Sequence, residues 1–229
     1  WRQAGDGLSL HPATKVLAQF SYPLKGWQGV PQAVGFKHPQ FSNLSFEGVF
    51  TPFPVAALFL PLEGLRFDDW LQHYESTASF GVFIKDSGLG KVRFFPGLGL
   101  MLSYHLNQKD FLQLVEGARC MGLAYLAAGA KKVLMPLNRV QNEFSDAEAL
   151  KTHDFSDAKP SQLGSMGFHP LGTCGMGRVV DSHLRVYGTQ RIFIADGSVV
   201  PTPLGVNPQI TIMALALRLA DHLMRSRVS

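Results

Sequence analysis

The sequence predicts an α+β fold, built chiefly from an antiparallel sheet with packed helices. Short segments show the period-two alternation of strands, whereas longer segments repeat apolar residues at helical spacing. Strands and helices do not alternate regularly along the chain, which argues against a parallel βαβ sheet. Hydrophobic residues make up 46% of the 229 residues and charged residues 17%, so the chain can form a core and is not intrinsically disordered.

The individual elements follow from local patterns. Alternation and short apolar runs predict strands, which cover residues 46–50, 79–85, 91–95, 133–135 and 191–195. Residues 7–20 are predicted to form a turn followed by a strand. Apolar residues at helical spacing predict helices, which cover residues 66–76, 108–129 and 208–224. The turn signal Asp86-Ser87-Gly88 lies between two of the strands and predicts a hairpin over residues 79–95.

Capping residues predict where the helices begin. Asn107 and Asn207 each precede a predicted helix, and Pro208 suits the first helical position after Asn207. The segment from Ser145 to Glu148 has the capping-box pattern, which predicts another helix start in the polar stretch that follows.

Composition and spacing exclude several classes of function. The 21 basic and 17 acidic residues give a net charge of +4, and no basic run exceeds two residues, which argues against a nucleic-acid partner. No apolar run approaches 18 residues, so no transmembrane segment is predicted.

Two cysteines, Cys120 and Cys174, cannot form a disulfide framework. The spacing of His153, His169, Cys174 and His183 matches no zinc template, so no metal site is predicted.

The densest set of motifs lies between residues 167 and 224. These motifs are His169-Pro170-Leu171-Gly172-Thr173-Cys174-Gly175-Met176-Gly177, Val180-Asp181 with Leu184-Arg185-Val186-Tyr187-Gly188, Asp196-Gly197-Ser198 with Pro201, and Asn207-Pro208 with Thr211 and Ala214. In order and spacing they resemble the C-terminal segment of the GMC (glucose–methanol–choline) flavoprotein oxidoreductases. The form GVNPQITIMALA is closest in motif to the cholesterol oxidase and long-chain alcohol oxidase branch. Upstream, Leu8-Ser9-Leu10-His11-Pro12 resembles the LxxHP stretch of this family.

The resemblance implies a domain organisation and a cofactor. Residues 1–165 would form the substrate-binding domain, and residues 166–229 would form a catalytic and FAD-contacting segment that closes an FAD-binding domain. Contacts with FAD are implied for Asp196, Gly197, Asn207, Pro208 and Gln209. The G-x-G-x-x-G fingerprint of the Rossmann half does not occur in the sequence. We therefore expect this chain to be the C-terminal portion of a longer flavoenzyme and to be inactive alone.

The resemblance also implies a reaction, the FAD-dependent oxidation of the CH–OH group of an alcohol to a carbonyl. His169 would accept the hydroxyl proton, which suits an imidazole near neutral pH, and Asn207 would hold the hydroxyl. Glu47 lies in a stretch similar to one that carries an active-site Glu in cholesterol oxidases, and would be a second base. The branch and the 17 phenylalanines favour an apolar alcohol, long-chain or sterol-like.

Each candidate residue also has a purely structural interpretation. His169 could pack beside Pro170, Asn207 could only cap a helix, Asp196 could only form a turn, and Glu47 could be a paired strand residue. The alternative function for the whole chain is that of a non-catalytic subunit that docks on a separate FAD-binding chain and exposes an apolar face. The expected partners are thus an alcohol substrate and the missing N-terminal FAD-binding portion or a partner chain.

Overall fold

The computed structural model describes residues 3–30, 32–58, 60–138 and 141–226. The chain folds as two compact units. The terminal unit consists of Trp1–His11, Lys85–Asn107 and Gly167–Ser229, and the sheet unit consists of Pro12–Ile84 and Gln108–Met166. Helices and antiparallel strands together confirm the predicted α+β class. The functional assignment of residues 1–165 and 166–229 stays a prediction, because the division into compact units does not show what either part binds or does.

The elements are short, apart from two long helices. The strands are β1 (Asp6–Leu8), β2 (Pro12–Gln19), β3 (Gly35–Phe36), β4 (Leu44–Gly48), β5 (Thr77–Ile84), β6 (Gly90–Phe95), β7 (Gly99–Ser103), β8 (Lys132–Leu134), β9 (Glu143–Phe144) and β10 (Met166–Gly167). The α-helices are α1 (Phe53–Leu58), α2 (Gly64–Gln72), α3 (Gln108–Ala127), α4 (Ala147–Thr152) and α5 (Gln209–Ser226). Single 3-10 turns are formed by Tyr74–Ser76, Pro160–Gln162 and Gly197–Val199.

The sheet unit is organised around an antiparallel sheet in the order β3-β4-β5-β2-β8-β9. Alternation places Leu44, Phe46 and Val82 on one face, because Phe46 pairs with Val82 two residues away from Leu44. Helix α3 covers this face so closely that a Cβ on Gly117 would lie 2.6 Å from the Leu44 side chain and 2.8 Å from that of Val82. Glycine is therefore required at this point of the helix–sheet contact.

The terminal unit combines a small antiparallel sheet, in the order β1-β6-β7, with a long irregular segment and α5. Its apolar core contains Val179, Val180, Leu184, Val186, Val199 and Leu219. Helix α5 contributes Leu219 to this core, whereas Ile210 is 82% exposed and Leu217 is 68% exposed. Within the terminal unit, α5 therefore buries only one side.

The predicted hairpin over residues 79–95 is wrong. Strand β5 pairs with β2 and β4, whereas β6 pairs with β1 and β7, so the two strands belong to different sheets. The residues Asp86-Ser87-Gly88 do not form a hairpin turn. Asp86 is only 3% exposed and accepts backbone hydrogen bonds, whereas the tip of a hairpin would be solvated. The hairpin that does form joins β6 to β7, and Leu98 N donates to Phe95 O at 3.1 Å in its turn.

Three other local predictions need correction. Residues 191–195 form no buried strand, because Phe193 makes only an isolated bridge with Arg185 and Ile192 is 47% exposed. The polar helix α4 is capped by Asp146, one residue later than the capping box predicts, and the Asp146 carboxylate accepts from Ala149 N at 2.7 Å. Helix α5 begins at Gln209, one residue after Pro208.

The described residues contain neither a membrane-spanning helix nor a cluster of metal ligands. None of their helices is long and apolar enough to cross a membrane. Within the same residues, no group of three or more His, Cys, Asp and Glu side chains is arranged to hold a metal ion.

Candidate functional site

A buried carboxylate fixes the backbone at the start of the site. Asp86 follows β5 and accepts hydrogen bonds from Leu10 N at 3.0 Å, from His11 N at 3.3 Å and from the Tyr104 hydroxyl at 2.8 Å. Burial raises the pKa of Asp86, although these hydrogen bonds act in the opposite direction. The backbone of Leu10 and His11 is thereby held in one position.

His11 is the most constrained side chain of the site. It is completely buried, and its φ of +45° lies in the left-handed region that residues other than glycine rarely adopt. Its Nε2 atom accepts from Leu204 N at 3.0 Å and from Gly205 N at 3.1 Å. Its Nδ1 atom lies 3.2 Å from the Nδ1 atom of His169, and the two rings meet edge to face with centroids 5.2 Å apart.

His169, the predicted proton acceptor, is half-buried, and its ring lies against that of His11. The backbone N–H groups of Phe168 and His169 both donate to Leu10 O, at 3.2 and 3.1 Å. Both the main chain and the ring of His169 are therefore held by the Leu10–His11 dipeptide.

The Asp196 turn lies against the segment that follows His169. The Asp196 carboxylate accepts from Ser198 N at 2.8 Å and caps the 3-10 turn Gly197–Val199. A Cβ on Gly197 would lie 3.2 Å from Pro170 O and 3.2 Å from the Ile212 side chain in the first turn of α5. Gly197 therefore brings the His169 segment, the Asp196 turn and the start of α5 together.

The start of α5 presents polar groups at this place. Asn207 and Gln209 are exposed, whereas Pro208 between them is buried and its carbonyl accepts from Ile212 N at 2.9 Å. The first N–H groups of a helix have no partner inside the helix, and they give this end a partial positive charge. Such an end suits an electronegative or anionic oxygen of a ligand.

Glu47 lies in the other unit, on β4. It shares a row with Gly81 and Lys15, because Gly81 pairs with both residues across neighbouring strands. This row is on the sheet face opposite α3. Glu47 is half-buried, and its role as a second base stays a prediction.

The same face of the sheet unit contains an aromatic cavity. Trp27, Phe50, Trp70 and Tyr74 line it together with Lys15. The Trp27 and Tyr74 rings stack at 5.8 Å, and Lys15 Nζ donates to Thr51 Oγ1 at 3.1 Å. Burial lowers the pKa of Lys15, so the cavity combines apolar walls with one amine.

Comparison with known proteins identifies the family. A family model described as GMC oxidoreductase matches residues 99–216, which is about half of the chain. The chain belongs to the GMC oxidoreductase family. The resemblance seen in the C-terminal motifs is thereby confirmed.

Relatives of this GMC chain include proteins with and without a described activity. It is 30% identical over 226 residues to the uncharacterized GMC-type oxidoreductase y4nJ of Sinorhizobium fredii, a match that covers 96% of this chain and 44% of that protein. It is 24% identical over 245 residues to the long-chain-alcohol oxidase FAO1 of Arabidopsis thaliana, with 95% of this chain and 31% of that protein covered. The chain thus spans less than half of the length of either relative.

Solved structures show the same fold at low identity. The structure of pyridoxine 4-oxidase from Mesorbium loti matches with a TM-score of 0.62 and 17% identity, over 97% of this chain and 44% of that one. Formate oxidase from Aspergillus oryzae matches with a TM-score of 0.62 and 14% identity, over 96% of this chain and 47% of that one. At these identities the likeness concerns the fold alone.

FAD is the cofactor of the GMC family, and the residues at the start of α5 fit it. The helix end would offer N–H groups to the flavin oxygens, where reduction of bound FAD develops negative charge. A Cβ on Gly197 would crowd Pro170 O and the Ile212 side chain, so glycine keeps the Asp196 turn close to the start of α5. The predicted contacts of Asp196, Gly197, Asn207, Pro208 and Gln209 with FAD are compatible with these positions and stay a prediction.

Sequence reasoning missed the residues that support His169. In the sequence, His11 is only part of an LxxHP stretch and is assigned to the fold or to a domain junction, and Asp86 is only a turn residue. Tyr104 carried no motif. Their roles depend on long-range contacts, since Asp86 lies 76 residues from Leu10 in the sequence, and the one available signal was the family-like position of His11.

Proposed function

We propose that this chain is part of an FAD-dependent oxidoreductase that oxidises the CH–OH group of an alcohol to a carbonyl. The observation that supports this most directly is the contact of Gly197 with both Pro170 and Ile212. It gathers the His169 segment and the polar start of α5 within the terminal unit, as an alcohol site next to a flavin would require.

The chemistry of the side chains suits an alcohol. The His169 imidazole can exchange a proton with a hydroxyl near neutral pH. The Asn207 amide can hold the same hydroxyl without titrating. When bound, FAD supplies the acceptor for the hydride that leaves the carbinol carbon.

We further propose that the substrate is an apolar alcohol, long-chain or sterol-like. The motif branch and the similarity to a long-chain-alcohol oxidase support this. The fold neighbours named pyridoxine 4-oxidase and formate oxidase make pyridoxine and formate the appropriate polar comparisons in a substrate screen.

A second candidate function is that of a non-catalytic subunit that docks on a separate FAD-binding chain. The exposed side of α5 favours it, because Ile210, Met213 and Leu217 form an apolar stripe on one helix face. Leucines on the β6–β7 hairpin, Leu98, Leu100 and Leu102, are exposed as well.

The test is the mass and absorbance spectrum of the natively purified protein. Flavin bands that bleach when a long-chain alcohol is added under anaerobic conditions would support the proposed oxidation. The same bands, carried by a separate co-purifying chain and bleached equally without this chain, would support the docking subunit. Bound flavin that no alcohol reduces would contradict the oxidation. We expect the isolated 229-residue chain to bind FAD weakly or not at all, which a fluorescence titration measures.

A further inference from the structure

His11 contacts both segments that carry the proposed hydroxyl-binding residues. Its Nδ1 atom faces the His169 ring, and its Nε2 atom binds Leu204 N and Gly205 N, in the loop that ends at Asn207. Its own backbone is fixed by Asp86. One buried side chain therefore connects the His169 segment to the Asn207 loop.

The contacts of Nε2 determine the protonation of His11. Two backbone N–H groups point at this atom, at 3.0 and 3.1 Å, so it must accept with its lone pair. A neutral imidazole has one N–H and one lone pair. The proton of His11 therefore resides on Nδ1.

The tautomer of His169 follows from that of His11. The Nδ1–H of His11 points at Nδ1 of His169 at 3.2 Å, so the His169 atom accepts. Neutral His169 then carries its proton on Nε2. The opposite arrangement would place the proton of His11 on Nε2, and the Leu204 and Gly205 N–H groups would lose their acceptor.

The backbone of His11 supports a specialised role. A left-handed φ of +45° in a residue other than glycine costs free energy and persists only where the surroundings enforce it. Here Asp86 binds both Leu10 N and His11 N. The hydrogen bonds to Asp86 therefore hold His11 in this strained backbone conformation, which fixes the direction of its imidazole.

We infer that His11 is a positioning residue, which fixes the ring and tautomer of His169 and anchors the loop before Asn207. In this tautomer Nε2 of His169 carries the proton, so a ligand oxygen that met Nε2 would accept a hydrogen bond from it. His169 can accept a hydroxyl proton at Nε2 only after its own Nε2 proton has left for another base or for water and its Nδ1 atom has gained a proton, and the N–H at Nδ1 of His11 opposes that second step. His11 thereby sets whether His169 donates or accepts. The inference rests on the proposed function only for the identity of the ligand.

Two substitutions separate the two halves of this role. In His11→Asn the amide NH₂ replaces the Nδ1 donor and the Nε2 acceptor is lost, whereas in His11→Gln the amide oxygen replaces the Nε2 acceptor and the Nδ1 donor is lost. Asn also tolerates a left-handed φ better than other residues do. Each variant is checked first for cooperative unfolding.

The test is nitrogen NMR of the full chain with ¹⁵N-labelled histidine, which shows which ring nitrogen carries the proton. In the wild type we expect Nδ1–H on His11, Nε2–H on His169 and a scalar coupling between the two Nδ1 atoms across the hydrogen bond. In His11→Gln we expect His169 to populate both tautomers while the amides of Leu204 and Gly205 stay protected from hydrogen exchange. In His11→Asn we expect the His169 tautomer to persist while those amides exchange at least about 10-fold faster.

Several results would overturn the inference. These are a proton on Nδ1 of His169 in the wild type, the absence of the coupling, or equal effects of both substitutions on both readouts. The wild-type spectrum decides the matter if a variant does not fold. In the holoenzyme, His11→Gln should lower kcat by about 10-fold and change KM by less than about threefold. If no alcohol is oxidised, the proposed function fails while the tautomer result still stands.

Discussion

The Trp70 indole N–H donates a 2.6 Å hydrogen bond to Glu143 Oε1 and so ties α2 to β9. Arg66 donates to the other oxygen of the same carboxylate, and Lys132 Nζ lies 3.4 Å from Oε1. Burial disfavours the charged form of Glu143, but these donors and cations outweigh it and lower the pKa of the carboxyl. The carboxylate therefore stabilises the sheet unit in its ionised form.

The first prediction concerns this carboxylate. We expect Glu143→Gln to reduce the free energy of unfolding by about 1–3 kcal/mol near neutral pH, because charge-assisted hydrogen bonds are lost. A depressed folded-state pKa stabilises above the unfolded value, ordinarily 4.5, and this contribution disappears as the pH falls through the folded-state value. Urea unfolding should therefore show a difference from wild type that shrinks in acid.

A matched control for this prediction is Glu148→Gln. The Glu148 side chain is 74% exposed and pairs only with Lys151 in the same helix. Its loss should change stability by less than about 0.5 kcal/mol. A difference between Glu143→Gln and wild type that is equal at neutral and acidic pH would contradict the assignment of the ionised form.

The second prediction concerns the buried Asp86. In Asp86→Ala the N–H groups of Leu10 and His11 lose their acceptor, which should cost about 3 kcal/mol in urea unfolding. Tyr104→Phe removes only one hydroxyl donor to Asp86 and should cost about 1 kcal/mol. The two variants losing equal stability would mean that the backbone contacts of Asp86 contribute nothing.

The third prediction concerns the packing of Gly197. We expect Gly197→Ala to cost about 1–3 kcal/mol, because its Cβ would crowd Pro170 O and the Ile212 side chain at 3.2 Å. In the holoenzyme the same change should weaken FAD binding, as measured by flavin fluorescence. Gly164→Ala is the control, since its Cβ would meet only Pro136 O, at 3.6 Å, and should be nearly neutral.

The fourth prediction concerns catalysis. His169→Gln should lower the turnover of the holoenzyme by about 10²–10⁴-fold while the flavin stays bound, because proton transfer at the hydroxyl loses its imidazole. His183→Gln serves as control, since His183 is exposed and stacks on His222 with ring centroids 4.1 Å apart. Normal turnover in His169→Gln would remove His169 from its proposed role.

Local patterns predicted the elements that depend on local interactions. The helical spacing over residues 108–129 matches α3, which covers Gln108–Ala127 and buries Phe111, Leu114 and Met121. The strand over residues 79–85 likewise matches β5. The failed hairpin shows the limit, since a turn such as the one at Asp86 does not reveal which strand becomes the partner.

In the candidate site, too, local motifs can be predicted from the sequence and long-range contacts cannot. His169, Asp196 and Asn207 lie in motifs that are close together in the sequence, so the sequence alone predicts them as site residues. His11 could be recognised as a partner of His169 only in three dimensions, because the two are 158 residues apart. The tautomer of His169 depends on backbone donors in a further loop, and no pattern in the sequence encodes that contact.

The discontinuity of the terminal unit bears on how the chain folds during synthesis. All the residues of the sheet unit precede Gly167, whereas the terminal unit needs three stretches that include Gly167–Ser229. The sheet unit can thus form on the ribosome while β1, β6 and β7 still await α5 and its core. Until Gly167–Ser229 has been made, the apolar β6–β7 hairpin has no completed core to join, and its exposed leucines can misassemble during that interval.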